Sequence, residues 1–181
     1  ESANHDKIKI EGSNDARWED LRLLAYRVKI NKPNSISDMC ARLNMESTSE
    51  VYDTIYLVDE NGYSYLHTGL VLKDFDSEPV KSILNKEGKF AKLYRTGNTL
   101  ERHIDTLTYG MNVEPFKVGD KTIIGIYATT NYNSIEQKLK ITSFNNKGVT
   151  YIFDEDGYFI VRKESQANIA ERDNMYEILT N

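Results

Sequence analysis

Thr54-Ile55-Tyr56-Leu57-Val58-Asp59-Glu60-Asn61-Gly62-Tyr63 is an apolar run, a turn and the start of a second apolar run, which together read as a β-hairpin. The turn has a physical logic. Asp opens a type I turn, the next two positions accept right-handed and bridge conformations, and Gly supplies the left-handed residue that closes a bulge. The pattern recurs as Val149-Thr150-Tyr151-Ile152-Phe153-Asp154-Glu155-Asp156-Gly157-Tyr158, 95 residues further on. Two near-copies in one chain predict two related modules, or one module and the start of another. Both Gly62 and Gly157 are therefore expected at positive φ.

Outward from the first hairpin, which is expected over about Val51 to Leu70, the chain reads as α+β. On its amino-terminal side, residues 1–12 are polar, and Ser13 or Asn14 can cap a helix with Trp18, Leu21, Leu24, Ala25 and Val28 on one broad face. That helix should fade near Lys32-Pro33, because the residue before Pro is pushed out of the helical region. Ser35 or Ser37 starts a second helix with Ile36, Met39, Cys40 and Leu43. On the carboxyl-terminal side, Ser77 and Pro79 open a short helix with Val80, Ile83 and Leu84. Strands follow over Phe90 to Arg95, Arg102 to Val113 and Thr122 to Thr130, with a tight turn at Gly119-Asp120. This order predicts a five-stranded antiparallel sheet with helices packed on it, the last strand pairing beside the first. Asn133-x-x-Glu136 opens a linker helix, the second hairpin spans Gly148 to Lys163, and Asn174-x-x-Glu177 caps a last helix. The expected organisation is a helical region over 1–50, a first module over 51–132, and a linker with the start of a second module over 133–181. The second module lacks equivalents of the last three strands, so the natural polypeptide is expected to continue past Asn181.

Bulk properties exclude several classes. The 181 residues carry a formal net charge of −5, so no basic surplus exists to neutralise nucleic-acid phosphates. Apolar runs fall far short of the roughly 20 residues of a membrane span, and no secretory signal opens the chain. The lone Cys40 excludes an internal disulfide and reads as a helix core residue. His5, His67 and His103 lack a second ligand at metal-binding spacing. Asp59/Asn61 and Asp154/Asp156 suggest calcium at first sight, but Gly falls fourth in each loop and no Glu follows at the twelfth position, so the turn explanation suffices. No nucleophile elbow, phosphate loop or dinucleotide fingerprint is present.

The order helix, hairpin with Asp-Glu-Asn-Gly, helix, three strands resembles a Cache domain, an extracytoplasmic relative of the PAS fold. The residues that carry the resemblance are Ile55 to Gly62, Thr122-Ile123-Ile124-Gly125-Ile126-Tyr127, and Lys147 to Gly157; the junction between the last two is similar to that between the modules of double Cache domains. The resemblance implies a ligand-sensing domain on the extracytoplasmic side of a bacterial membrane, anchored by segments outside this chain and dimerising through its first helix. It also implies a diguanylate cyclase, histidine kinase or chemotaxis output elsewhere in the receptor. Amino-acid-binding relatives are similar in carrying an aromatic–Arg–Trp-Tyr cluster and an Asp after the last strand of the first module. Here the comparable residues are Leu93-Tyr94-Arg95, without Trp-Tyr, and Thr129 stands where the Asp would be.

His103 and Asp105 continue the strand face of Leu107, Tyr109 and Met111. Polar residues on an otherwise apolar face either sit past the core edge or line a polar pocket. In the pocket reading Tyr94, Arg95, Tyr127 and Thr129 join from adjacent strands: Arg95 holds a small carboxylate or other anion with its fork, and tyrosines close the cavity. The expected ligand-binding set is thus Tyr94, Arg95, His103, Asp105, Tyr109, Tyr127 and Thr129, with no catalytic residue, metal or cofactor. The alternatives are a ligand-free structural or dimerisation module and, further off, a hydrolase.

Overall fold

The computed structural model describes residues 2–47, 52–96, 104–131, 152–153 and 159–161. Helices α1 (Ser2–Ile30) and α2 (Ile36–Glu46) precede strands β1 (Thr54–Asp59), β2 (Tyr63–Leu66) and β3 (Val71–Lys73). Helix α3 (Glu78–Leu84) leads into β4 (Lys89–Thr96), β5 (Ile104–Val118) and β6 (Lys121–Asn131), and a short pair follows, β7 (Ile152–Phe153) with β8 (Phe159–Val161). The chain divides into two compact units. One is Gly12–Tyr132; the other joins Glu1–Glu11 to Asn133–Asn181.

Within the larger unit the strands form one antiparallel sheet in the order β3-β2-β1-β6-β5-β4. The last strand pairs beside the first, Tyr56 opposite Tyr127 and Leu57 opposite Ile126, as the PAS-like reading requires. The sheet has one strand more than the five expected. β3 follows a reversal in which Gly69 takes φ +92° and Leu70 accepts from the Leu66 amide. Three residues without polar alternation give too weak a pattern to mark a strand from sequence.

The hairpin turn is built as its sequence implies. Gly62 has φ +78°. Asp59, fully buried, accepts through Oδ1 from the amides of Asn61 and Tyr63, each at 2.9 Å, and through Oδ2 from the Tyr65 hydroxyl at 2.8 Å. The aspartate thus replaces backbone acceptors inside the turn. The second turn, with Gly157, and the helices expected from Asn133 and Asn174 lie outside the described residues.

Helix α1 begins at Ser2, not at Ser13 or Asn14, and passes through both. The polar residues before Gly12 include good helix formers, and one interior Gly costs only about 1 kcal/mol, too little to end a helix that is otherwise favoured. The helix stops at Ile30, with Lys32 at φ +47° closing it ahead of Pro33. Leu21, Leu24, Ala25 and Val28 form its buried face. In α2, Ser35 caps the amide of Asp38 at 3.1 Å, and Met39, Cys40 and Leu43 are buried.

Candidate functional site

Strand register divides the sheet into two faces with different chemistry. On one face three rows run across the central strands. The first row is Val58, Gly125 and Asn112; the second is Tyr56, Tyr127, Gly110 and Phe90; the third is Thr54, Thr129, Thr108 and Lys92. Helix α3 covers the first row. Val80 and Ile83 pack with Val58, Phe90 and Tyr127 in one buried cluster, against which Tyr56 and Leu84 lean. Both mid-strand glycines are needed for this close approach. A Cβ at Gly125 would lie 2.4 Å from Ile83 Cγ2, and a Cβ at Gly110 would lie 2.2 Å from Phe90 Cζ.

Beyond α3 the second and third rows form the candidate site. The rings of Tyr56 and Tyr127 stack with centroids 4.3 Å apart and planes 7° from parallel. Tyr127 is buried and shares a 3.4 Å hydrogen bond with Ser64, whereas Tyr56 is half-buried. Burial pushes the Tyr56 hydroxyl pKa up, against a hydrogen bond with Thr54 that pulls it down. Next to this pair the row runs from half-buried Thr54 through half-buried Thr129 to buried Thr108. Lys92 ends the row, its Nζ 3.2 Å from Ser82 Oγ and 3.3 Å from Glu87 Oε2. Half-buried Tyr56, Thr54, Thr129 and Lys92 offer an aromatic ring, hydroxyls that both donate and accept, and a cation held at one side, with Tyr127 and Thr108 buried behind them. Such groups can stack on and hydrogen-bond with a small polar molecule.

The opposite face is packed by α1. Its rows are Ile55, Ala128, Tyr109 and Ala91, then Leu57, Ile126, Met111 and Lys89. Trp18 meets Tyr109 edge-on at 6.1 Å and donates to the Phe90 carbonyl at 3.1 Å. The Tyr109 hydroxyl donates to Asn14 Oδ1 at 2.8 Å, and that of Tyr52 to the Arg17 carbonyl at 3.0 Å. The Arg17 guanidinium lies 5.1 Å from the Tyr109 ring centroid, with one buried Nη1 that no hydrogen bond satisfies. Burial pushes the pKa of Tyr109 up, and of Tyr52 further still, with Asp20 adding to the latter.

This geometry separates the residues grouped from sequence. Tyr127 and Thr129 stand on the α3 face, and position 94, paired with Thr106, is in register with them. Tyr109 stands on the α1 face, where helix side chains fill the space a ligand would need; its expected place in the same pocket is corrected accordingly. Positions 95 and 105 are directly opposed, Arg across from Asp, in register with the Tyr109 face. The side chains of Tyr94, Arg95 and Asp105, and all of His103, lie outside what the structure describes. Sequence reading missed Tyr56, Thr54, Thr108 and Lys92. The signal that points to them is the pair of mid-strand glycines, Gly110 and Gly125, which mark the face that something approaches closely.

Two other chemistries find no support in the described residues. Both oxygens of the Asp59 carboxylate already accept hydrogen bonds within the hairpin, and no group of three His, Cys, Asp or Glu among the described residues is placed to hold a metal there. Ser82 and Lys92 stand at a nucleophile–base distance, but Ser82, within α3 itself, is only 1% exposed. No helix among the described residues is long and apolar enough to cross a membrane.

No family model matches the sequence, and no curated protein does. Solved structures do match. The sensory domain of the Campylobacter jejuni chemoreceptor Tlp3 with isoleucine bound superposes with a TM-score of 0.61 at 17% identity, over 89% of this chain and 67% of that one. A methyl-accepting chemotaxis protein X gives 0.62 at 11% identity over 99% and 78%. The periplasmic sensory domain of the C. jejuni chemoreceptor Tlp1 gives 0.61 at 12% over 98% and 74%. The chain thus spans about two thirds of the Tlp3 domain and about three quarters of the other two. At these identities the likeness concerns the fold, which this chain shares with chemoreceptor sensory domains.

Proposed function

We propose that this chain is a ligand-sensing domain of a membrane signalling receptor, on the extracytoplasmic side of a bacterial membrane, and that it binds a small molecule on the α3 face of its sheet. The observation that carries the reading is the Tyr56–Tyr127 stack beside the row Thr54, Thr129, Thr108 and Lys92, at the margin of the α3 cover. Shared fold with chemoreceptor sensory domains supports it, and so does the isoleucine bound by Tlp3. The domain acts by binding rather than by catalysis; the output, whether cyclase, kinase or chemotaxis signalling, belongs to other parts of the receptor.

The ligand differs from a free α-amino acid, because Thr129 stands at the position of the Asp expected for an ammonium group and no Trp-Tyr pair follows Arg95. A small carboxylate held by Arg95 is the narrower form of the proposal. Its register with the α1 face favours instead a ligand recognised by hydroxyls and aromatic stacking on the α3 face. A thermal-shift panel of amino acids, small carboxylates and uncharged polyols decides between them. At about a hundredfold excess over Kd a ligand adds about 2.7 kcal/mol of stability. If Arg95→Ala abolishes the shift caused by a carboxylate, the narrower form holds. If an uncharged compound gives a shift that survives Arg95→Ala, the broader form holds. A panel in which nothing shifts the melting temperature favours the ligand-free structural reading.

A further inference from the structure

Strand β5 touches both faces of the sheet, and it does so at an irregularity. Its pairing with β6 runs from Asn112 opposite Gly125 to Phe116 opposite Ile123, so Val113, Glu114 and Pro115 bulge out of the ladder. Bulges re-aim side chains and concentrate strand bending. On the α3 side, Asn112 Nδ2 donates to the carbonyl of Ile83 at 2.7 Å, in the last turn of α3. Its Oδ1 accepts from the Gly88 amide at 3.1 Å, and its own amide donates to the Gly88 carbonyl at 3.3 Å. On the α1 side, Glu114 pairs with Lys29 at 2.8 Å, and a cleft of ≈ 220 Å³ opens between the bulge and α1, lined by Ala25, Tyr26, Lys29, Met111 and Phe116 among others. Tyr127, of the candidate site, belongs to the same buried cluster as Ile83.

We propose that the β5 bulge is the coupling element between the ligand face and α1, with Asn112 as the positioning residue that joins α3 to it. The inference rests on the α3 face being the ligand face. A ligand that displaces Tyr127 or Ile83 shifts the end of α3. Asn112 holds that end through the Ile83 carbonyl and the turn beyond it through Gly88, so the displacement passes into the bulge, which is free of ladder constraints. The space beside α1 lets the bulge move, and the Lys29–Glu114 pair transfers the movement to the helix.

Hydrogen exchange on the whole chain tests the link without any ligand. Ile83→Ala loosens α3 and is expected to raise exchange severalfold over Arg22–Ile30, while residues nearer Trp18 change little. In the Asn112→Ala background the same Ile83→Ala change should add nothing over Arg22–Ile30. Glu114→Gln, an exposed change that spares the core, should raise exchange around Lys29 and blunt the response to Ile83→Ala; it serves if Asn112→Ala fails to fold. Leu43→Ala, a core change in α2, sets the pattern for general destabilisation. An Ile83→Ala effect that is unchanged in both backgrounds, or that matches the Leu43→Ala pattern, overturns the proposal. A thermal-shift panel without hits would remove the ligand and leave this mechanical result standing, so the two failures are distinguishable.

Discussion

At Gly62 the sequence motif and the backbone coincide, and the structure adds a second constraint. Besides φ +78°, a Cβ there would lie 2.6 Å from Phe75 Cβ. Gly62→Ala is expected to cost about 1 kcal/mol for the backbone alone, and more for the contact; a denaturant midpoint unchanged by the substitution would contradict it. The buried tyrosines make a separate prediction. Tyr52 and Tyr65 hold hydroxyls whose pKa is raised above the ordinary value, chiefly by burial, with Asp59 as the next contributor at Tyr65. A raised folded pKa means the neutral form is favoured in the fold. This contribution is complete below the ordinary tyrosine pKa of about 10 and is lost as pH climbs through the folded values. Stability should therefore decline above about pH 10, with a fraction of the tyrosines ionising only as the chain unfolds. Ultraviolet titration of tyrosinate alongside circular dichroism checks this. Complete ionisation of a chain that is still folded would count against it.

Among the elements, those set by local chemistry were legible in the sequence. The first hairpin and the α2 cap at Ser35 follow from turn residues and a capping serine, and α3 follows from Pro79 and the apolar Val80, Ile83 and Leu84, although the Ser77 hydroxyl makes no cap hydrogen bond. Less legible was β5. The odd positions from Leu107 to Met111 form one face, but the bulge after Asn112 breaks the parity, and alternation cannot say which face a helix will cover. The even positions Thr106, Thr108, Gly110 and Asn112 turn out to be the α3 face. The start of α1 was missed because polar helix without an apolar stripe has no periodic signal. The packing of α3 yields a test of its own. Gly125→Ala is expected to destabilise by about 1–3 kcal/mol through overpacking against Ile83. Ile83→Ala in the same chain should recover part of that loss, since it removes the atoms in collision. Additive losses in the double-mutant cycle would mean that α3 does not sit on Gly125.

For the molecule as a whole, fold class was readable because element order is enough to specify a PAS-like sheet, while the ligand site depends on which face α1 occupies, a fact of tertiary packing. The proposed site is consequently on the α3 face, with Tyr56 at its half-buried margin and Tyr109 sealed beneath α1 on the other side. The decisive measurement is calorimetric titration of the strongest compound from the thermal-shift panel into wild type, Tyr56→Leu and Tyr109→Phe. Tyr56→Leu removes the half-buried ring of the Tyr56–Tyr127 stack and is expected to abolish measurable binding with the chain still folded. Tyr109→Phe removes one hydrogen bond to α1 and should leave the affinity as it was. Binding that survives Tyr56→Leu but is lost in Tyr109→Phe would place the ligand on the α1 face and contradict the assignment.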